Sequence, residues 1–194
     1  MDSVPRDSVP SMAGLRLEIE GHMEDWRQRR EKDYWGRPRV AVASADDPLF
    51  DRLGRVVDPG HAMPGDLLQG VRSVVVFFLP FDRALGESND RHGRLASPGW
   101  AEAYVETNLL IRKIGTHLGR CLRKAGHSAR NTAATHNFDE ELLVSGWSQK
   151  HVAYIAGLGT LGHHHLLITE AGCCGNCARR CCKPPVISNS NALP

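Results

Sequence analysis

Apolar residues recur along this chain in two patterns, a helical spacing in some segments and continuous runs in others. Residues 15–30 place an apolar side chain at every third or fourth position, which predicts a helix with one apolar face. Residues 100–124 repeat this spacing over a longer stretch, and Gly126 follows where a glycine often ends a helix. We therefore expect one amphipathic helix early in the chain and a longer one in the middle.

Continuous apolar runs predict strands. Residues 73–79 (SVVVFFL) are β-branched or aromatic almost throughout, which is typical of a central strand covered on both faces. Residues 39–44 (RVAVAS) predict a second, shorter strand. Weaker patterns predict helices over 48–53 and 139–144, strands over 128–135 and 166–169, either type over 150–156, and loops over 59–70 and 82–99, the last a candidate lid.

Helices and strands alternate, which predicts a layered α/β or α+β domain. The chain has 194 residues, which suits one well-buried domain. Residues 1–12 are polar and contain the tetrapeptide DSVP twice, so we expect a disordered lead-in before a core domain over 13–170. Residues 171–194 then form a short cysteine-rich tail.

Composition narrows the environment and the partners. The formal net charge is +2, and the basic residues are interleaved with acidic ones, which does not indicate a nucleic-acid-binding surface. The sequence predicts no membrane span, and the first residues lack the apolar core of a signal peptide. We therefore expect a cytoplasmic protein, in which disulfides are rare.

Cysteine placement indicates a metal site. Cys121 stands by itself on the apolar face of the long predicted helix, where we expect it to contribute packing. The other five are crowded together, whereas disulfide scaffolds spread their cysteines along the chain. The candidate metal ligands are Cys173, Cys174, Cys177, Cys181 and Cys182.

The spacing of these cysteines favours iron–sulfur chemistry and leaves zinc as the alternative. Residues 174–181 (CGNCARRC) give C-x₂-C-x₃-C, the second half of the bacterial ferredoxin pattern. Arg179 and Arg180 would offset the negative charge of a thiolate-ligated [4Fe–4S] cluster. Zinc also accepts four thiolates, although its usual ribbon has two separated C-x₂-C knuckles and only one occurs here. The third interpretation is that these thiols bind no metal.

A glycine-rich segment precedes the cysteines. The pattern G-x-G-x-x-G is satisfied by Gly157, Gly159 and Gly162. A dinucleotide site needs a helix after this pattern, but the residues that follow predict a strand. The favoured interpretation is therefore a tight turn packed on the core. His163 and its two histidine neighbours look like the entry to that strand, where one could act as a ligand or proton donor. Trp147, ten residues before the turn, is the aromatic residue best placed to face a ligand.

Residues 147–162 (WSQKHVAYIAGLGTLG), followed by LLITEAG at 166–172 and then cysteines, resemble the epoxyqueuosine reductase-like iron–sulfur proteins. These are relatives of the corrinoid-dependent reductive dehalogenases. Residues 66–80 (DLLQGVRSVVVFFLP) are similar to a core-strand block of the same family. The resemblance covers roughly residues 36–182.

The resemblance implies a nitroreductase-like α/β sandwich that holds cobalamin, with a cluster tail that delivers electrons to cobalt. It implies that Gly157, Gly159, Gly162 and His163 lie at the corrinoid. It also implies a possible iron–sulfur and cobalamin-dependent reductase, with an electron donor such as ferredoxin or flavodoxin and a small-molecule or corrinoid ligand. The alternative is a zinc-stabilised or corrinoid-binding module without turnover.

Two departures from the family pattern bear on activity. The family's acidic proton donor precedes the glycine turn by about 14 residues, where this chain reads LLVSG at 142–146, which puts epoxyqueuosine reduction itself in doubt. His136, Asp139 and Glu140 are substitute donors. A two-cluster tail needs about eight cysteines, so five indicate a shortened, single-cluster tail.

Overall fold

The computed structural model describes residues 11–93, 95–132, 138–139, 144–173, 175 and 185–187. Its two long helices are the ones that the apolar spacing predicts. Helix α1 spans Met12–Arg30 and begins at Ser11, whose hydroxyl accepts a hydrogen bond from the Gly14 backbone N–H at 3.1 Å. The leucine, isoleucine and methionine of its predicted apolar face are buried.

The second long helix begins and ends with standard capping interactions. It spans Pro98–Lys124, and the Ser97 hydroxyl accepts a hydrogen bond from the backbone N–H of Trp100. At its end Gly126 has a φ of +86°, and the N–H groups of Gly126 and His127 bond back to the carbonyls of Arg123 and Leu122. This is the Schellman arrangement that the glycine predicts. Three shorter α-helices are described between the two long ones, so this helix is α5.

The main sheet has four strands, all paired antiparallel. Strand β1 spans Arg39–Ser44, β2 spans Ser73–Phe78, β3 spans Ala129–Asn131 and β8 spans Pro185–Ile187. Their order in the sheet is β1-β2-β8-β3. Strand β8 belongs to the segment that the sequence assigns to the cysteine-rich tail, so the end of the chain contributes to the sheet of the core.

Strand β2 separates two apolar clusters, as a strand covered on both faces must. Val75 and Phe77 point to one side, where α1 and α5 supply most of the surrounding side chains. Val76 and Phe78 point to the other side, towards residues between β1 and β2 and near the sixth helix, α6 (Gln149–Ile155). All four side chains are at most 1% exposed. The α6 side of the sheet carries the candidate site.

One polar contact ties α5 to the chain that follows α1. The buried Trp35 indole N–H donates to Thr107 Oγ1 at 2.7 Å, and the Thr107 hydroxyl donates in turn to the carbonyl of Ala103. A buried N–H needs a partner, so this relay satisfies the indole inside the cluster formed by α1 and α5.

The remaining elements are short. They are a 3₁₀ turn at Phe50–Arg52, α2 at Leu53–Val56, α3 at Pro64–Leu67, α4 at Arg83–Asp90, and the paired strands β4 (Phe138–Asp139) with β5 (Val144–Ser145) and β6 (Thr160–Leu161) with β7 (Leu167–Ile168). The predicted short helix over 48–53 therefore begins later, and the segment over 150–156, which fitted either type, is helical.

Three predictions of local structure are wrong. The predicted lid over 82–99 contains α4, which begins with an aspartate cap at Asp82 and has an ion pair at 2.8 Å between Arg83 and Glu87 one turn apart. This helix buries no side chain, so its sequence lacks the apolar stripe from which a helix is predicted. The predicted loop over 59–70 contains α3, where the Asp66 carboxylate accepts from the N–H of Met63.

The third error concerns residues 139–144, which the sequence predicts as a helix. Asp139 and Val144 are instead paired residues of β4 and β5. Phe138 and Val144 are residue types that favour strands. Residues 140–143, which connect the two strands, lie outside the described part of the chain. The coarse fold class, a mixed α+β domain, is confirmed.

Candidate functional site

The predicted metal ligands begin beside the central strand. Cys173 is a half-buried free thiol. Gly175, two residues on, pairs with Pro80 just after β2, and a Cβ added to Gly175 would lie 2.2 Å from Cζ of Phe78. Only a glycine fits there, so this close contact anchors the start of the cysteine segment to the core. Cys174, Cys177, Cys181 and Cys182 lie outside the described residues.

The first glycine of the G-x-G-x-x-G segment ends helix α6. Gly157 has a φ of +72°, and its N–H bonds to the carbonyl of Tyr154 while the N–H of Leu158 bonds to the carbonyl of Ala153. These two bonds form a Schellman motif, for which a left-handed residue is required. The sequence alone did not distinguish helix from strand before this glycine.

The other two glycines allow strands β6 and β7 to approach. A Cβ on Gly159 would lie 2.2 Å from the carbonyl oxygen of Ile168, and one on Gly162 would lie 2.6 Å from Cε1 of His164. Both spaces are therefore filled by atoms of this chain. This agrees with the favoured reading of a tight turn packed on the core. A role of the three glycines in cofactor binding stays a prediction.

The three histidines form the tip of a hairpin rather than the entry to a strand. The Gly162 N–H bonds to the carbonyl of Leu166, and the His165 N–H bonds back to the carbonyl of Gly162. His165 has a φ of +58°, which turns the chain, and His163 and His164 are exposed beside it. The strand expected from residue 166 begins at Leu167. As a cofactor contact, His163 stays a prediction.

A histidine–serine group that the sequence pattern did not predict lies at the start of α6. The Ser148 hydroxyl and His151 Nδ1 are 2.6 Å apart. The Ser148 backbone N–H donates to Nε2 of His61 at 2.9 Å, and Nδ1 of His61 lies 2.8 Å from the carbonyl of Ala62. His61 therefore accepts at Nε2 and donates at Nδ1, which is the pattern of a neutral ring. The signal available in the sequence was the spacing of Ser148 and His151, which lie three residues apart at the start of a helix.

The surroundings of this group favour the uncharged form of its histidines. Burial, followed by the charges of Lys150, His61 and His165, lowers the pKa of His151 to about 4. Burial also lowers the pKa of His61 and of Lys150 from their usual values. Because His151 is neutral at pH 7, its Nδ1 can accept a hydrogen bond from the Ser148 hydroxyl. The proton of the ring is then on Nε2.

Trp147 supplies a buried donor next to this group. The side chain is 1% exposed, stacks on Phe50 at a centroid distance of 6.2 Å, and lies 5.7 Å from the ring of His61. Its indole N–H finds no hydrogen-bond partner among the residues that the structure describes. Most of the ring surface packs in the apolar cluster, and a role of Trp147 in facing a ligand stays a prediction.

A second group of metal-ligand side chains lies on the opposite side of the sheet, between α1 and α5. Glu18, His117 and Cys121 bring their ligand atoms within 4.8 Å of one another. The expectation that Cys121 only packs is incomplete, because its half-buried sulfur is 3.4 Å from Nε2 of His117. Burial, and then Glu18, raise the pKa of the Cys121 thiol. The sequence signal was the four-residue spacing of His117 and Cys121.

Of the three substitute proton donors, only the backbone of Asp139 belongs to the described residues. Asp139 lies in β4, and His136 and Glu140 lie outside the described residues. Among the described residues, Ser148 and His151 form a hydrogen-bonded pair with exchangeable protons.

The described helices include none that is both long and apolar enough to cross a membrane. A scan against protein-family models, a search of curated proteins and a search of solved structures each find no match to this chain.

Proposed function

We propose that this chain is an iron–sulfur oxidoreductase-like protein that passes electrons to a bound corrinoid or small substrate. The observation that carries the proposal is the cysteine segment itself, C-x₂-C-x₃-C with two further cysteines, which continues from a point anchored on the central strand. Thiolates at this density are the donor set that iron–sulfur clusters use. The nitroreductase-like form of the α+β fold is part of the same proposal.

The start of the tail supports a cluster held close to the core. Gly175 is buried against Phe78, so Cys173 and the cysteines that follow begin at the end of β2 rather than on a free linker. Five thiols offer one more ligand than a [4Fe–4S] cluster needs, so the chemistry of the donor set fits. When bound, the cluster supplies single electrons at low potential. An electron donor such as ferredoxin or flavodoxin would reduce it.

The polar group at α6 is the proposed substrate-facing region. A two-electron reduction also consumes protons, so the protein must hold exchangeable hydrogens where the substrate sits. Ser148 and His151 form such a pair, and the unpartnered indole N–H of Trp147 is a buried donor in the adjacent residue. With Nδ1 accepting a hydrogen bond from the Ser148 hydroxyl, neutral His151 keeps its ring proton on Nε2; this proton and the hydroxyl proton are the two that the pair would give to a substrate, to be replaced from water.

Electron paramagnetic resonance of the anaerobically purified, dithionite-reduced protein tests the proposal. We expect the signal of a reduced cluster in the wild type, its loss in Cys177→Ser, and its retention in the matched control Cys121→Ser, which lies outside the tail. A wild-type sample without a signal and without cluster absorbance would sink the redox proposal. If zinc is bound instead and is lost in Cys177→Ser, the zinc-stabilised module takes its place.

The role of the α6 group is tested separately. In protein that contains the cluster, Ser148→Ala and His151→Gln should lower the rate of the proton-consuming two-electron reduction of a model substrate about 10²-fold or more, with iron content unchanged. His92→Gln, on an exposed turn, is the control and should match the wild type. Equal rates in all four proteins would remove these two residues from the reaction.

A further inference from the structure

Helices α1 and α5 place two pairs of metal-ligand residues opposite each other. Glu18 and His22 are one turn apart on α1, and His117 and Cys121 are one turn apart on α5. Residues four apart share a helix face, so each helix presents two potential ligands to the other. The pairs flank the apolar contact between the helices, where the fully buried Ile19 lies next to Glu18 in sequence.

The three closest side chains already converge. Nε2 of His117 lies 2.6 Å from Oε2 of Glu18, and Sγ of Cys121 lies 3.4 Å from that nitrogen and 3.9 Å from that oxygen. The ring of His22 stacks on that of His117 with centroids 4.8 Å apart, which restricts the orientation of the His117 ring. The side chains of Glu18 and His117 are 47% and 27% exposed, so an ion can reach them from solvent.

These distances fit a tetrahedral metal site. Zinc binds sulfur at about 2.3 Å and nitrogen or oxygen at about 2.1 Å, which sets tetrahedral ligand atoms roughly 3.5 Å apart. The two distances to Cys121 are already near this separation, and the contact between His117 and Glu18 must open by less than about 1 Å. A rotation of the exposed Glu18 side chain is sufficient.

We propose that Glu18, His117 and Cys121 bind a zinc ion that links α1 to α5, with the fourth position open to water. A carboxylate, an imidazole and a thiolate are ligand types that zinc accepts together, and the two anionic ligands neutralise the dication. Magnesium and calcium prefer all-oxygen sites, so neither fits this set. The site is separate from the cysteine tail and does not depend on the function proposed above.

Site-specific alkylation measures this site without interference from the tail. Cys121 in the full-length, reduced protein is labelled with iodoacetamide, and its peptide is quantified by mass spectrometry while zinc is titrated in. We expect zinc to slow labelling of Cys121 at least about tenfold at saturation, since a metal-bound thiolate is shielded, with recovery on addition of a chelator and no effect of magnesium. An unchanged rate at saturating zinc would overturn the proposal.

Variants then test the ligand set. Glu18→Gln and His117→Ala should each raise the zinc concentration for half-protection of Cys121 about 10-fold to 100-fold, by analogy with the loss of a partner at a metal site. Glu24→Gln, on an exposed position of the same helix, should leave it unchanged. Protection that persists at the same zinc concentration in both ligand variants would show that the effect comes from elsewhere, and would equally reject the site.

Discussion

At the scale of single residues, the buried histidine of the α6 group couples stability to pH. The pKa of His151 falls from its usual 6.5 to about 4 in the folded protein, so between these values the unfolded chain binds more protons than the folded one. Stability therefore rises with pH across this window and is lost as the pH falls from about 6.5 towards 4. His61 contributes in the same direction.

The variant His151→Gln isolates this contribution. Between pH 7.5 and pH 4.5 the free energy of unfolding, measured with urea, should fall by on the order of 1–2 kcal/mol more in the wild type than in the variant. The expected difference is no larger because His151 is partly exposed and solvent screens its charge. His92→Gln should lose as much as the wild type. A pH dependence that is the same in all three proteins would contradict a depressed His151 pKa.

A second residue-scale prediction concerns the glycine turn. Gly159→Ala forces a methyl group against the Ile168 carbonyl, so we expect a loss of about 1–3 kcal/mol in the free energy of unfolding. Gly21→Ala is the matched control, because the space around this exposed position in α1 is open, and there alanine should stabilise the helix by about 0.5–1 kcal/mol. Urea unfolding of both variants measures the difference, and an unaltered Gly159→Ala protein would mean that β6 and β7 are not packed so closely.

At the scale of elements, those that bury an apolar face were predictable from the sequence. Helices α1 and α5 and strands β1 and β2 have bounds within about three residues of the predicted ones, because their apolar spacing records what they pack against. Helix α4 was missed because it buries nothing and depends on a cap and an ion pair. The pairing of β4 with β5 was missed because strands of two residues carry too little pattern to read.

The docking of α5 depends on one buried relay. Thr107→Val keeps the side-chain volume but leaves the Trp35 indole N–H without its acceptor, which should cost about 1–3 kcal/mol. Thr116→Val on the same helix removes a hydroxyl that bonds to the Arg112 carbonyl at an exposed position, and should change the free energy of unfolding by less than about 0.5 kcal/mol. Thermal or urea unfolding compares the two. Equal effects would show that the relay is not a determinant of stability.

At the scale of the whole molecule, the contacts that sequence reasoning missed join distant segments. His61 meets Ser148 across 87 positions, and Glu18 meets His117 across 99. Local spacing pairs Ser148 with His151 and His117 with Cys121, but it contains no information about partners so distant in the chain, so the two complete groups emerged only from the fold. The insertion of β8 between β2 and β3 is a further long-range contact of this kind.

The proposed function depends on the cysteine segment, which is visible in the sequence alone. Its first residues lie on the core beside β2, and its five cysteines are the proposed ligands of the cluster. The zinc ion proposed at Glu18, His117 and Cys121 does not affect a measurement of iron and sulfide, since neither is expected there.

Iron and acid-labile sulfide in the anaerobically purified full-length protein are the most direct measurement. The proposed function predicts about four of each per chain, with both lost in Cys177→Ser and both retained in Cys121→Ser. An anaerobic wild-type sample that contains zinc or no metal, and no sulfide, would contradict it.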